Sequence, residues 1–276
     1  MQDNNIDLKY APIGVFDSGV GGLTVARELM RQIPNERVVY FGDTARVPYG
    51  SKSQSTIIRY TRQIIRFLKT KNVKAIVVAC NTASAYALDE VRSELDIPIL
   101  GVVHPGAREA AKVTRNEKNG IIGTVATVES KLYSKSINMH NAKAQVFGKA
   151  CPLFVPLVEE GWTKDPVTKE VANRYLAPLK ETGIDTLILG CTHYPLLRSM
   201  IGDIMGPEVT LVNPAYETTN SLKELLEEQG IANDGNGPLM GHEFYVSDMA
   251  ERFMEFANSI LPYDVDTTKV IDIENY

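Results

Sequence analysis

Two cysteines of this chain stand at the same kind of place. IVVACNTASA runs from Ile76 to Ala85 and LILGCTHYPL from Leu187 to Leu196. In each, an apolar run stops at a cysteine, small or polar residues come at once, and a helical pattern comes next. A thiol where a strand becomes a helix lies near the partial positive charge of the helix start, which favours thiolate. Asn81 and Thr82 after Cys80, and Thr192 after Cys191, add donors suited to an anion at that corner. The remaining cysteine, Cys151, precedes a proline in KACPLF and is assigned to packing, since free cysteine is commonly buried.

Several thiol chemistries fail on spacing. A phosphatase loop would place Arg at the positions held by Tyr86 and Leu197, and no CxxC pair exists for dithiol redox work. A papain-like dyad would leave one thiol unexplained. Zinc ligation by Cys80, Cys191, His193 and Asp17 is chemically compatible, but no spacing demands it.

Other residues converge on the same places. FDSGVGGLT (Phe16–Thr24) comes after an apolar run, lacks a Walker lysine, and fails GxGxxG at Thr24. Its glycines suit an anion-binding turn. Asp17, just before them, would repel a phosphate but could attract a substrate ammonium or take a proton, unless Asp17 and Ser18 only cap the helix. Pro48-Tyr49-Gly50 reads as a loop tip that could cover a pocket, or as a plain connection. His193, two residues beyond Cys191, could share a proton with that thiol or simply begin a helix.

These residues need strand ends to hold them. Nine Val- and Ile-rich runs do not alternate with polar residues: Ile13–Phe16, Val38–Gly42, Ala75–Ala79, Ile99–Val103, Gly120–Thr124, Gln145–Gly148, Thr186–Gly190, Thr210–Asn213 and Phe244–Ser247. Such runs suit parallel strands buried on both faces. Helical stripes lie between them. One runs from Leu23 to Ile33, another from Ile57 to Leu68, and Ala83, Ala87, Val91 and Leu95 step by four. Leu197–Met205 and Leu222–Leu226 continue the pattern, the latter stopping before Gly230. Asp248 with Glu251 predicts a capping box for a last helix through Ile260, and Pro178 predicts a kink or split in the helix around it. GNGPLMG (Gly235–Gly241) reads as a loop. Strand–helix alternation means an α/β fold with mostly parallel sheet, whose function gathers at strand carboxyl ends. The echo between the two decapeptides suggests two similar α/β domains facing each other.

Composition sets bounds. Apolar residues are 44% and charged residues 23% of 276, with a net charge of −5, which fits a soluble globular protein and argues against a general nucleic-acid binder. No apolar stretch reaches the length of a membrane span, and MQDNNIDLKYAP is not a secretory signal. Three well-separated cysteines suit reduced thiols in the cytoplasm.

Taken together, DSGVGGLTV, YFGDTARVPYGSKS, VVACNTASAYAL, GVVHPGA, GTVATVESKLY, CPLFVPLVEEG and LILGCTHYPLL resemble the signatures of the bacterial glutamate racemases, within the wider aspartate/glutamate racemase superfamily. The likeness covers about Ile13 to Asn213. It implies two α/β domains across a cleft, divided here as 1–103 with 214–276 and 104–213. It also implies an isomerase that needs no cofactor and supplies D-glutamate for peptidoglycan, and a homodimer. Carried over, Cys80 and Cys191 are the catalytic thiols, acting on D- and L-glutamate respectively. Asp17 assists Cys80, His193 assists Cys191, and Glu159 orients His193. Asp17, Ser18, Tyr49, Gly50, Asn81, Thr82, Thr192 and His193 contact substrate, and Thr124 helps hold it. Two thiols on opposite walls would let one take the α-proton while the other delivers one to the far face. A racemase for aspartate or another amino acid, or a non-catalytic or metal-bound sensor of a small acidic ligand, remains an alternative.

Overall fold

In the computed structural model, which describes residues 8–238 and 240–276, each of the apolar runs forms a strand. The first seven residues of the expected N-terminal domain, and Leu239 in the expected loop, lie outside the described residues. The chain runs β1 (Ile13–Asp17), α1 (Leu23–Gln32), β2 (Val38–Gly42), α2 (Gln54–Lys69), β3 (Ala75–Val78), α3 (Asn81–Tyr86), α4 (Leu88–Arg92) and β4 (Ile99–Gly101). Next come α5 (Val103–Val113), β5 (Lys118–Gly123), α6 (Val125–Glu129), α7 (Leu132–His140), β6 (Gln145–Ala150), α8 (Phe154–Glu159) and α9 (Pro166–Glu181). The chain continues through β7 (Thr186–Gly190), a short 3₁₀ turn, α10 (Arg198–Met205), β8 (Thr210–Val212), α11 (Pro214–Glu228), β9 (Glu243–Val246), α12 (Ala250–Ile260) and β10 (Lys269–Val270).

The strands make two sheets, one in the order β10-β9-β2-β1-β3-β4 and the other β6-β5-β7-β8. All pairings among the described residues are parallel. β2-β1-β3-β4 and β6-β5-β7-β8 are the same order, so β3 and β7, the strands that end at the two thiols, occupy equivalent places. In each sheet the strand order reverses beside the first strand, between β1 and β3 and between β5 and β7, and such a switch point is where α/β sheets open a crevice.

Burial on both faces explains the Val- and Ile-rich runs. Along β1–β3, Val15, Tyr40 and Val77 face a core covered by α1, α11 and α12, while Phe16, Phe41 and Val78 face one covered by α2, α3 and α4. In the second sheet Leu187 and Leu189 pack under α8–α10, and Ile121 and Ile188 under α5 and α7. No helix among the described residues is long and apolar enough to cross a membrane.

Local expectations fail in four places. The stripe from Ala83 to Leu95 is two short helices that break at Ala87. Val103 leaves the strand and begins α5. α9 is not split: Pro178 lies inside it, three residues before its end at Glu181. There a proline forfeits one late backbone bond, and buried Leu176 and Leu179 hold the helix on either side. No capping box forms on α12, because Met249 is left-handed (φ 54°) and its own N–H donates to the Asp248 carboxylate at 2.7 Å.

Candidate active site

The first wall is built at the ends of β1 and β3. Asp17 is the last residue of β1 and is 1% exposed. Its Oδ2 accepts the N–H groups of Gly19 at 3.3 Å and Gly22 at 2.9 Å. The glycine turn therefore binds an anion, but the anion is the protein's own carboxylate. Asp17 Oδ1 is buried without a partner. Next to it, Cys80 caps α3: its Sγ accepts the Ala83 N–H at 3.5 Å, and its thiol donates to Ser18 Oγ at 3.7 Å.

The second wall lies at the ends of β5 and β7. Cys191 comes directly after β7 and its Sγ is 3.7 Å from His193 Nδ1. The other ring nitrogen, Nε2, is 3.0 Å from Glu159 Oε1, at the end of α8. Beyond Cys191 the chain enters a turn and a 3₁₀ segment (Tyr194–Leu197), so no α-helix starts at this thiol.

The walls touch through small polar residues. Thr24 Oγ1 donates to the Thr192 carbonyl at 2.8 Å. Thr82 Oγ1 lies 3.0 Å from Thr124 Oγ1 and 3.3 Å from Thr127 Oγ1. The Tyr133 hydroxyl, on α7, donates to Asn81 Oδ1 at 2.6 Å. Two glycines permit close backbone approach: a methyl on Gly21 would come within 2.5 Å of the His193 ring, and one on Gly50 within 2.8 Å of Thr124 Cβ. Cys80 and Cys191 are 5% and 6% exposed, so both are nearly covered. A cavity of about 550 Å³ opens between α8 and α12, lined by Gly19, Val20, Glu159 and Phe256 among others, but not by either thiol.

The ionisable groups around the thiols are set by burial and by one another. Burial pushes the Cys80 thiol up to about 12, and the negative charge of Asp17 adds to the rise against the Ala83 and Ser18 hydrogen bonds. The helix-start effect expected from sequence is thus overridden at Cys80. Burial also raises the Asp17 carboxyl, opposed by the charge of His193 and by backbone N–H groups. For His193, burial works against protonation. Its bonds to Cys191 and Glu159, with their negative charge, outweigh it and lift the imidazole to about 10. Burial would raise Glu159, but the bond to His193 and its charge bring it below its ordinary value.

Asp17, Ser18, Cys80, Asn81, Thr82, Thr124, Glu159, Cys191, Thr192 and His193 therefore meet at the facing strand ends. Tyr49 differs: its ring is buried 5.7 Å from Tyr60, and its hydroxyl donates to Asp43. Its carbonyl accepts the Lys52 N–H at 3.0 Å, and it is the next residue, Gly50, that lies against Thr124 of the other wall. Cys151 is buried in the second core and donates to the Lys149 carbonyl at 3.6 Å, as a packing residue would. Three residues escaped sequence reasoning: Thr24, Thr127 and Tyr133. Thr127 had a signal, since it stands one helical turn after Thr124. The other two act across the cleft and leave no local pattern.

The Asp/Glu/hydantoin racemase family matches residues 13–221. The chain is 48% identical over 258 residues to the glutamate racemase of Geobacter metallireducens, covering 92% of this chain and 94% of that one. The crystal structure of a glutamate racemase isoform from Bacillus anthracis superposes with a TM-score of 0.92 at 41% identity, covering 96% and 98% of the two chains. That of the Francisella tularensis glutamate racemase in complex with D-glutamate gives 0.90 at 36% identity, covering 97% and 100%.

Proposed function

This chain belongs to the Asp/Glu/hydantoin racemase family, among its glutamate racemases, and from that membership and the facing thiols we propose that it interconverts L- and D-glutamate through Cys80 and Cys191. The observation that carries the mechanism is the placement of the thiols at equivalent switch points of two facing sheets.

Starting from L-glutamate, the Cys191 thiolate takes the α-proton. The electron pair passes into the α-carboxylate, and the Cys80 thiol delivers its own proton to the opposite face. Cys191 ends as thiol and Cys80 as thiolate; D-glutamate is consumed by the reverse. A Cys80 thiol held protonated suits the acid of the first direction. Protonated His193, oriented by Glu159, offers positive charge at Cys191. Asp17 Oδ1 is buried and unpartnered, which supports its assignment as the acceptor for the substrate ammonium. Charge grows on the α-carboxylate in the transition state, so donors fixed in advance count most. Ser18, Asn81, Thr82, Thr124 and Thr192, with His193, are the candidates, and the Tyr49–Gly50 backbone is a further contact that binds substrate.

The Francisella tularensis enzyme, crystallised with D-glutamate, supports glutamate as the substrate. The proposal extends to domains at 1–103 with 214–276 and 104–213, to a homodimer, and to a cytoplasmic role supplying D-glutamate for peptidoglycan. A polarimetric assay of L-glutamate, L-aspartate and L-alanine side by side tests it. Turnover of glutamate at least about a hundredfold above the other two, in kcat/KM, is expected; a preference for aspartate would overturn the substrate assignment.

A further inference from the structure

The segment from Asp43 to Pro48 has no regular structure, yet it delivers Tyr49 and Gly50 to the cleft. A buried polar network holds it. The Asp43 carboxylate, 0% exposed, accepts Arg46 Nε on both oxygens, at 3.0 and 2.8 Å. It also accepts the Tyr49 hydroxyl, and the Ser247 hydroxyl at 2.9 Å. Arg46 is held in turn. Its guanidinium lies 3.9 Å from the centre of the Tyr60 ring, which packs against Tyr49. Its Nη1 donates to Gln63 Oε1 at 2.6 Å and to Glu274 Oε1 at 2.9 Å. The second oxygen of Glu274 accepts the Gln63 amide at 3.1 Å. Glu274 thus reaches the loop from 228 residues away in the chain. The tail that carries it is anchored: Ile273 is buried against the α2 core, and the Tyr276 ring meets Phe67 edge-on at 5.3 Å.

We propose that Arg46 and Glu274 are positioning residues for substrate, the C-terminal tail acting through Arg46, Asp43 and Tyr49 to fix the Tyr49–Gly50 backbone against Thr124. The inference rests on Tyr49–Gly50 being a substrate contact. The tolerance is small, because Gly50 already approaches Thr124 so closely that an added methyl would clash. A loop that loses its Asp43–Arg46 clamp can shift by about an ångström, which is enough to stretch a backbone hydrogen bond to substrate beyond its useful range and weaken binding. The thiols sit on different strand ends and are not members of the network.

Steady-state kinetics on the full chain, in both directions, test this. Arg46→Ala should raise KM for both enantiomers by about tenfold or more while kcat stays within about threefold, the pattern of lost binding rather than lost chemistry. Glu274→Ala should move KM the same way by about threefold, and Glu274→Gln, which keeps an acceptor for Arg46, should restore most of it. Glu274 is largely exposed, so its substitutions keep the test decisive if Arg46→Ala does not fold. A wild-type KM in folded Arg46→Ala or in Glu274→Ala would overturn the inference, as would a fall in kcat with unchanged KM. Failure of the two-thiol mechanism looks different: a folded Cys80→Ala enzyme would still racemise glutamate.

Discussion

Cys80 shows how far a residue's chemistry depends on its surroundings. Its sequence position, after an apolar strand and before Asn81, suggests a thiolate at a helix start. α3 is only six residues long, and the thiol is buried beside Asp17, so the net effect is a rise to about 12. The sign has a measurable consequence. Below its pKa, a thiol's reactive fraction grows with hydroxide, so alkylation tracks pH without levelling. In enzyme without added glutamate, carbamidomethylation of Cys80 monitored by mass spectrometry should quicken about tenfold per pH unit from about pH 7 to about pH 10. A plateau near neutrality would contradict the environment described for this thiol. Residue type and place made Cys80 and Cys191 legible as a pair, while Asp17 and His193 stayed open between helix starts and chemistry until the family likeness was added. The pairing of His193 with Glu159 came only from family likeness, since 34 residues separate them and no local pattern joins them.

At the scale of elements, strand ends were the most readable feature. A parallel strand buried on both faces must be apolar throughout, so its limits show in the sequence to within a few residues. Helices were harder. α5 begins at Val103, inside an apolar run, and α7 has a weak stripe in LYSKSINMH. β10 is two exposed residues and carries no signal. The glycine turn between β1 and α1 looked like a binding loop for an outside anion, but it closes on Asp17. Its more demanding task is to lie against His193. Gly21→Ala would put a methyl within 2.5 Å of that ring, which Glu159 holds in place. The expected result is a fall in kcat/KM of about a hundredfold with a loss of stability of only about 1–3 kcal/mol, read from assays and thermal melts. Near-normal activity in the alanine variant would show that the ring can give way at no cost.

At the scale of the whole molecule, one strand order used twice sets two switch points face to face, each presenting a thiol. The echo between two decapeptides was the visible trace of that duplication. Contacts that close the cleft, such as Thr24 with Thr192 and Tyr133 with Asn81, were invisible, because they join distant segments by single hydrogen bonds. So was the tail that reaches Arg46. The central claim is that two thiols act on opposite faces of one carbon, and solvent isotope tests it most directly. Thiols exchange with D₂O, so the facing cysteine delivers deuterium. Early in the reaction, D-glutamate formed from L-glutamate in D₂O should carry α-deuterium while recovered L-glutamate stays largely protiated. Substantial protium in the early D-glutamate would mean that a single group returns the original proton, and would contradict the assignment of Cys80 and Cys191 as the acid–base pair.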